Sequence, residues 1–275
     1  MNHPGTGAAA TIAFANTKGG AGKTSAAVSL GYAFAQRGLN TLLVDLDDSC
    51  ALTYGLHRTD VPRDRSVGAA LVSDELDLRD LIIGNLEPGL SLLPANDSGI
   101  LLAEQVLLPE RAKGLRRLDR RLDAVRGDFD VIIVDTPGRL GTLQMGGVLA
   151  ADWVIVPVSP RRDHVLSAQR ALDLVGEARD DLGARVQVAG LLRTLVEKPH
   201  AISSQVGRQL TDKLAASYGV TVLSSIVPVE SRYTESEFQF RPVGAVAPTS
   251  RTAIAYRGLA DELEHAGVVR ALVTS

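Results

Sequence analysis

Nine residues, Asn-Thr-Lys-Gly-Gly-Ala-Gly-Lys-Thr at 16–24, leave few folds open to this chain. They follow directly on the apolar run IAFA and lead directly into an amphipathic segment. A glycine-rich loop between a strand and a helix lets successive backbone N–H groups turn inward as an anion nest. The helix N-terminus adds its positive dipole end. Lys23 is spaced to reach the outer phosphates of a nucleotide, and the Thr24 hydroxyl to bind Mg²⁺. The expected nucleotide-binding set is Lys18, Gly19, Gly20, Ala21, Gly22, Lys23, Thr24 and Ser25. Thr17 stands where the common P-loop pattern has glycine, and Lys18 places a second lysine at the mouth of the loop. The bland alternative, a glycine turn with two solvated lysines, is disfavoured by the strand before it and the helix after it.

Beyond the loop, short apolar runs alternate with longer amphipathic segments, the pattern of a parallel sheet covered by helices. Candidate strands are 11–15, 41–45, 90–94, 131–135, 153–158, 186–192 and 220–226. Runs such as VIIVD and VIVPV are almost wholly apolar, as in strands buried on both faces. Helical patterns cover 22–37, 99–107, 110–126, 164–181, 201–217 and 250–265. The first ends at Arg37-Gly38, a basic last turn with a glycine stop. Periodicity is weakest over 56–90, where Pro62 sits in a DVPRDR stretch, so short helices and surface loops are expected there. No repeat, low-complexity tract or linker interrupts the pattern. The expectation is one α/β domain over 1–275, a mostly parallel twisted β-sheet with helices on both faces in the P-loop NTPase architecture. Residues 1–10 would be a flexible lead and 266–275 a tail.

Composition narrows the function. With 45% hydrophobic and 22% charged residues, the chain reads as a soluble globular protein. A net charge of −3 argues against a uniformly basic DNA binder but leaves room for a local basic face. A lone cysteine, Cys50, excludes an intrachain disulfide and a thiolate metal cage, which suits the reducing cytoplasm. The first ten residues lack the cationic start and apolar core of a signal peptide. The apolar run near 153 is bounded by Asp152 and broken by Pro157, short of a membrane span. Five lysines stand among 29 basic residues, so two of them in one loop, Lys18 and Lys23, are conspicuous.

The motif K-G-G-x-G-K-T after I-A-x-x-N resembles the deviant Walker A motif of the ParA/MinD family of P-loop ATPases. The family's second motif matches LLVDLDD at 42–48, and its third matches VIIVDTPG at 131–138. Similarity continues through GLSLLPAN at 89–96, ADWVIVPVS at 151–159 and the stretch 226–243. It closes on TSRTAIAYRGLADEL at 249–263. Read from position alone, Asp135 ends its strand beside the phosphate loop and suits a Mg²⁺ shell. Asp45 and Asp47, two apart at one strand end, point the same way into the metal-and-water region. The resemblance implies that Asp47 positions the attacking water and Asp45 supports the magnesium shell. It departs at Asp48, where proline is usual, and at Ser49, where glutamine is common. It also implies that Lys18 crosses a dimer interface to the partner's ATP, giving a homodimer with two composite sites and slow hydrolysis until a partner stimulates it. Lys18 and Asp47 are the expected catalytic residues.

What such a switch controls has to come from the rest of the chain. From Arg193 to Arg257 there are eight Lys/Arg against five Asp/Glu, a local balance of +3. That suits a modest basic face giving salt-sensitive, nonspecific DNA binding, although a solvated surface with no partner fits the count as well. By resemblance, PVESRYTESEFQFRPV at 228–243 aligns with a ParA segment in which the arginine matching Arg232 is implicated in DNA contact, while Val229 replaces another arginine. Arg232 is therefore the first DNA candidate, followed by Arg193, Arg208, Arg241 and Arg251, which no motif fixes. The basic stretch 111–126, with Arg116, Arg117, Arg120 and Arg121, is expected to be a solvated face.

A MinD-like membrane switch would need a basic amphipathic tail with bulky apolar residues; LADELEHAGVVRALVTS is acidic in its helical part and lacks aromatics. Reductase members of the family hold a cluster on paired cysteines, which Cys50 alone does not match. A metabolic P-loop ligase stays open, although no separate substrate motif is visible. About ten residues precede the first strand, too few for a DNA-reading helix-turn-helix, so the chain resembles the short, Soj-like ParA form. The reading is thus an ATP- and Mg²⁺-dependent, nucleoid-associated cytoplasmic switch. A ParB-like or other adaptor would couple it to plasmid, chromosome or protein-assembly cargo.

Overall fold

The computed structural model describes residues 9–56, 60–197 and 202–270, and within these spans leaves the side chains at 202–204, 232–234 and 237 undescribed. The expected flexible lead falls outside these residues except at its last two positions, and the end of the tail beyond 270 falls outside them too. The first half of the chain runs β1 (Ala10–Phe14), α1 (Lys23–Ala35), β2 (Thr41–Asp45), α2 (Ala51–Leu56), α3 (Val67–Val72), β3 (Ile83–Glu87), β4 (Leu90–Leu93), α4 (Asp97–Leu107), α5 (Ala112–Leu115), α6 (Arg117–Leu122) and β5 (Val131–Asp135). The second half runs α7 (Thr142–Leu149), β6 (Trp153–Val158), α8 (Arg162–Asp180), β7 (Gln187–Val196), α9 (Ile202–Tyr218), β8 (Val222–Pro228), α10 (Arg232–Gln239), α11 (Val243–Val246) and α12 (Arg251–His265).

The eight strands form one sheet in the order β3-β4-β2-β5-β1-β6-β7-β8, parallel except for β3 against β4. Period-two alternation sorts each strand between two covered faces. Ile132 and Val134 of β5 join one core with Ala13, Ile100 and Ala103 of α4, and Val165, Ala168 and Leu172 of α8. Val131 and Ile133 join the other with Ile12 and Phe14, Leu30 and Phe34 of α1, and Tyr256 and Leu259 of α12. Each fully buried large side chain contributes about 1.5–3 kcal/mol. The α/β expectation, with helices on both faces, is met.

Two local expectations are corrected. The segment 56–90 holds a strand as well as short helices: β3 pairs antiparallel with β4 at the sheet edge. Its sequence, IGNLE, is half exposed, so it carries none of the apolar run that marks the buried strands. The stretch 110–126 is two short helices: Arg111, at φ 50°, precedes the first, and Arg116, at φ −90° and ψ 9°, separates it from the second. Its arginines are not simply a solvated face. Arg117 is buried, donates to the Leu71 carbonyl at 2.9 Å and pairs with Asp74 at 2.8 Å. Arg116 and Arg121 donate to the carbonyls of Leu182 and Leu76, and the exposed Arg120 to that of Lys113 at 2.9 Å. Long aliphatic stems let these side chains reach backbone carbonyls of other elements.

Candidate nucleotide site

The order of strands fixes where a ligand can sit. β1 leads through α1 back toward β2, whereas its neighbours β5 and β6 lead the other way, to β6 and β7, and the crevice at such a switch point opens at the carboxyl ends of the strands. In register, Phe14 of β1 faces Asp135 of β5, and Asp45 of β2 faces Asp135 from the other side. Three loops therefore leave the sheet side by side: 15–22, 46–50 and 136–141.

The first is held from all sides. Asn16, fully buried, donates to the Pro157 carbonyl at 2.8 Å and accepts from the Lys18 N–H at 3.1 Å. Thr17, in place of the usual glycine, donates to the Ser167 carbonyl on α8 at 3.2 Å. Thr194 donates to the Ala21 carbonyl at 2.8 Å, and Thr136 to the Phe14 carbonyl at 2.7 Å. Gly20 and Gly22 take φ of 76° and 85°, a left-handed backbone that side chains resist. Gly138 approaches so closely that a Cβ there would stand 2.9 Å from the Gly19 nitrogen. Asn16, Thr136 and Thr194 support the loop in a way that no motif spells out; their signal in the sequence is a polar residue at the end of a buried strand.

The two lysines divide. Lys23, at the start of α1, is 6% exposed and points its Nζ back to the Lys18 carbonyl at 3.3 Å. Burial lowers its pKa, and the charges of Asp135 and Asp47 oppose that shift. Lys18 is 45% exposed and ion-pairs with Asp163 in the first turn of α8. One lysine faces into the loop; the other faces out of it.

Asp135 is fully buried, and its Oδ2 accepts from the Thr24 hydroxyl at 2.6 Å. Its other oxygen, Oδ1, has no partner although buried. Burial, reinforced by the Asp45 charge, pushes its pKa up to about 8, against the pull of Lys23 and Thr24. A buried acceptor without a donor, beside a hydroxyl, is what a hard cation would satisfy. Among the described residues no group of three or more acidic, His or Cys side chains forms a metal cage. That fits Mg²⁺, which takes one or two protein groups and completes its shell with phosphate and water.

Asp45 is also fully buried, but its oxygens are already engaged. Oδ2 accepts from the Thr53 N–H at 2.9 Å and hydroxyl at 2.7 Å, and Oδ1 from the Asp47 N–H at 3.1 Å. Burial nonetheless raises its pKa to about 6. Its visible work is to hold the 46–50 turn, which leaves Thr24 and Asp135 as the pair best placed for a metal. Asp47 lies half-exposed on that turn and accepts from the Ser49 N–H at 2.9 Å.

The DNA candidates are less concentrated. Arg193 on β7 and the exposed Arg208 on α9 line one cavity, where Arg193 is ion-paired with Asp212. Arg251 opens α12 and lies 3.7 Å from Glu230. Arg241 is bound to Glu87 of β3 at 2.6 Å, six strand steps from β7. Arg232 opens α10, but its side chain lies outside the described residues. The structure therefore brings Arg193 and Arg208 together and sets Arg241 on the opposite flank of the sheet.

Comparison with known proteins fits this geometry. A family described as an AAA domain matches residues 9–187. The sporulation initiation inhibitor protein Soj of Bacillus subtilis is 30% identical over 252 residues, covering 92% of this chain and 97% of that protein. The chromosome-partitioning ATPase Soj of Thermus thermophilus is 32% identical over 255 residues, covering 92% and 94%. A crystal structure of cobyrinic acid a,c-diamide synthase from Mycobacterium smegmatis with bound ADP and magnesium is 30% identical. It aligns with a TM-score of 0.78 over 94% of this chain and 96% of that one.

Proposed function

The chain belongs to the ParA/MinD family of P-loop ATPases, and on that premise we propose that it is an ATP-driven positioning switch whose ATP-bound homodimer holds nonspecific DNA. Hydrolysis, slow in the free protein and stimulated by a ParB-like or other adaptor, would release the dimer and so move plasmid, chromosomal or protein cargo over the nucleoid. The observation that carries the reading is the division of the two lysines. Lys23 is sunk toward Asp135, while Lys18 stands 45% exposed at the loop mouth, where a second copy can meet it.

Each residue then has a task. Backbone N–H groups of 19–25 cradle the phosphates, and Lys23 neutralises their outer charge. Thr24 and Asp135 would hold Mg²⁺, which supplies charge neutralisation at the transferring phosphoryl group. Asp47 orients the attacking water, Asp45 fixes the turn that presents it, and Lys18 adds positive charge from across the dimer. Arg232, Arg208 and Arg251 would face DNA phosphates.

A second reading comes from the Mycobacterium smegmatis relative, whose name is that of an amide-forming enzyme. A ligase consumes ATP only with a carboxylic acid and a nitrogen donor, whereas a switch hydrolyses it without either. Retention of the protein on DNA and on liposomes, each in ADP and in ATP, separates the cases. ATP-dependent retention on nonspecific DNA with phosphate release supports the positioning switch. Retention on liposomes would transfer the reading to a membrane switch. No ATP turnover until a carboxylic acid and ammonia are added would transfer it to a ligase.

A further inference from the structure

We propose that Arg139 is a positioning residue for ATP hydrolysis, fixing the turn that presents Asp47 by bridging Asp48 and Glu104. The inference rests on the ATPase reading above. The Arg139 guanidinium reaches Asp48 Oδ2 with Nη2 at 3.1 Å and Glu104 Oε2 with Nη1 at 2.7 Å. Its backbone neighbour Gly138 lies against Gly19 of the phosphate loop. Arg139 thus joins the phosphate loop through Gly138, the 46–50 turn through Asp48, and α4 through Glu104.

The turn needs that restraint. Its inner side is tied to the core by the Leu46 N–H to the Asp135 carbonyl at 3.0 Å and the Asp47 N–H to Asp45 at 3.1 Å, and it closes on itself through the Cys50 N–H to the Asp47 carbonyl at 3.0 Å. Asp48 faces outward, 36% exposed. Asp48 has no ring to fix its φ, and the fork of Arg139 holds it from outside. A guanidinium can serve two carboxylates at fixed angles, which a lysine ammonium on a flexible stem does not.

The magnitudes separate this role from a structural one. Partly exposed ion pairs add little to stability, about 0–1 kcal/mol. A displacement of about 1 Å in a group that orients a reactant can cost about a hundredfold in rate. The bridge should therefore register in turnover far more than in melting temperature or ATP affinity.

The test is single-turnover hydrolysis of Mg·ATP by the full chain, with ATP affinity and thermal midpoint measured beside it. Arg139→Gln and Asp48→Asn should each slow the hydrolytic step about tenfold while leaving ATP affinity within about twofold. The double variant should be no slower than the slower single one, because both break the same bridge. Arg139→Lys should not restore the rate. Unchanged turnover in Arg139→Gln would overturn the proposal, as would a loss confined to ATP affinity or full rescue by lysine. Multiplying losses in the double variant would overturn it too, since Arg139 would then act on the nucleotide directly. Should Arg139→Gln not fold, Asp48→Asn reads the same bridge from its other end. A wild-type protein that binds ATP without ever hydrolysing it would instead defeat the ATPase reading itself.

Discussion

Lys23 and Arg251 both open a helix, and both face carboxylates, yet their settings differ. Lys23 is 6% exposed, fixed by a loop whose flanking groups are hydrogen-bonded on every side, and it faces Asp135, whose second oxygen still lacks a donor. Arg251 is 63% exposed and lies 3.7 Å from a Glu230 whose other oxygen already caps α12 through the Thr252 N–H and hydroxyl at 3.0 Å. The nucleotide end is held in place by its own hydrogen bonds, with a buried carboxyl oxygen left unpartnered beside the Thr24 hydroxyl. The arginine surface is a set of side chains mostly paired with the protein itself. A pre-built site discriminates by geometry, whereas a dispersed basic surface binds by charge, with an affinity that salt controls.

The sharpest break of that comparison is at Lys23. Lys23→Ala removes the buried cation and leaves Asp135 and Asp47 facing the phosphates, so ATP binding should fall below detection in equilibrium titration. Near-normal affinity would mean that the backbone nest alone carries the phosphates.

Lys18→Ala should do something different in kind. It leaves the nest intact, so ATP affinity stays within about threefold, a change of under 1 kcal/mol. The ATP-dependent dimer should be lost in size-exclusion chromatography with ATP. A Lys18→Ala dimer would sink the composite site. Asp47→Ala, by contrast, should keep the dimer and trap it on DNA in ATP, and rapid turnover by that variant would refute its role in orienting water.

Asp135 makes the burial of that site measurable. Its carboxyl titrates near 8 in the folded chain because burial disfavours the anion, against an ordinary value of 3.8. Between those values the folded protein keeps a proton that the unfolded chain has released. Stability without nucleotide or Mg²⁺ should therefore decline as pH rises across that window, by at most about 1.4 kcal/mol per unit for this group. Asp45, near 6, adds to the decline in the lower part of the window. Urea midpoints measured over pH should show the slope, and Asp135→Asn should flatten it above pH 6. The same slope above pH 6 in the wild type and in Asp135→Asn would contradict the raised pKa of the buried carboxyl.

How much of this was legible in the sequence follows the same divide. The runs at 41–45, 131–135 and 153–158 appear as strands with unchanged bounds, because burial on both faces leaves a continuous apolar signature. The phosphate loop was legible because a backbone nest demands glycines at fixed spacing. β3 was not, since an edge strand with exposed residues has no such signature. Nor was Arg139: a bridge between residues 91 and 35 positions away from it depends on tertiary placement that neither period nor motif encodes. Arg117 failed in the opposite sense, reading as a surface charge while its side chain threads to the Leu71 carbonyl.

The smallest effects belong to the arginines, and they decide whether the basic surface is one site. If Arg208, Arg232 and Arg251 each meet a DNA phosphate, replacing any one by alanine should make the slope of log affinity against log salt shallower by about 0.9. Arg241, held by Glu87 beside the edge strand, has its charge already answered by a carboxylate on the other flank. Arg241→Ala should therefore leave both DNA affinity and salt slope unchanged, at a stability cost under about 1 kcal/mol. Filter retention in ATP at several salt concentrations reads all four variants together. An unchanged slope in Arg232→Ala would remove that residue from the interface. A shallower slope in Arg241→Ala would mean that Glu87 gives up its partner when DNA arrives, and the basic surface would then reach across the sheet instead of stopping at β7–α12.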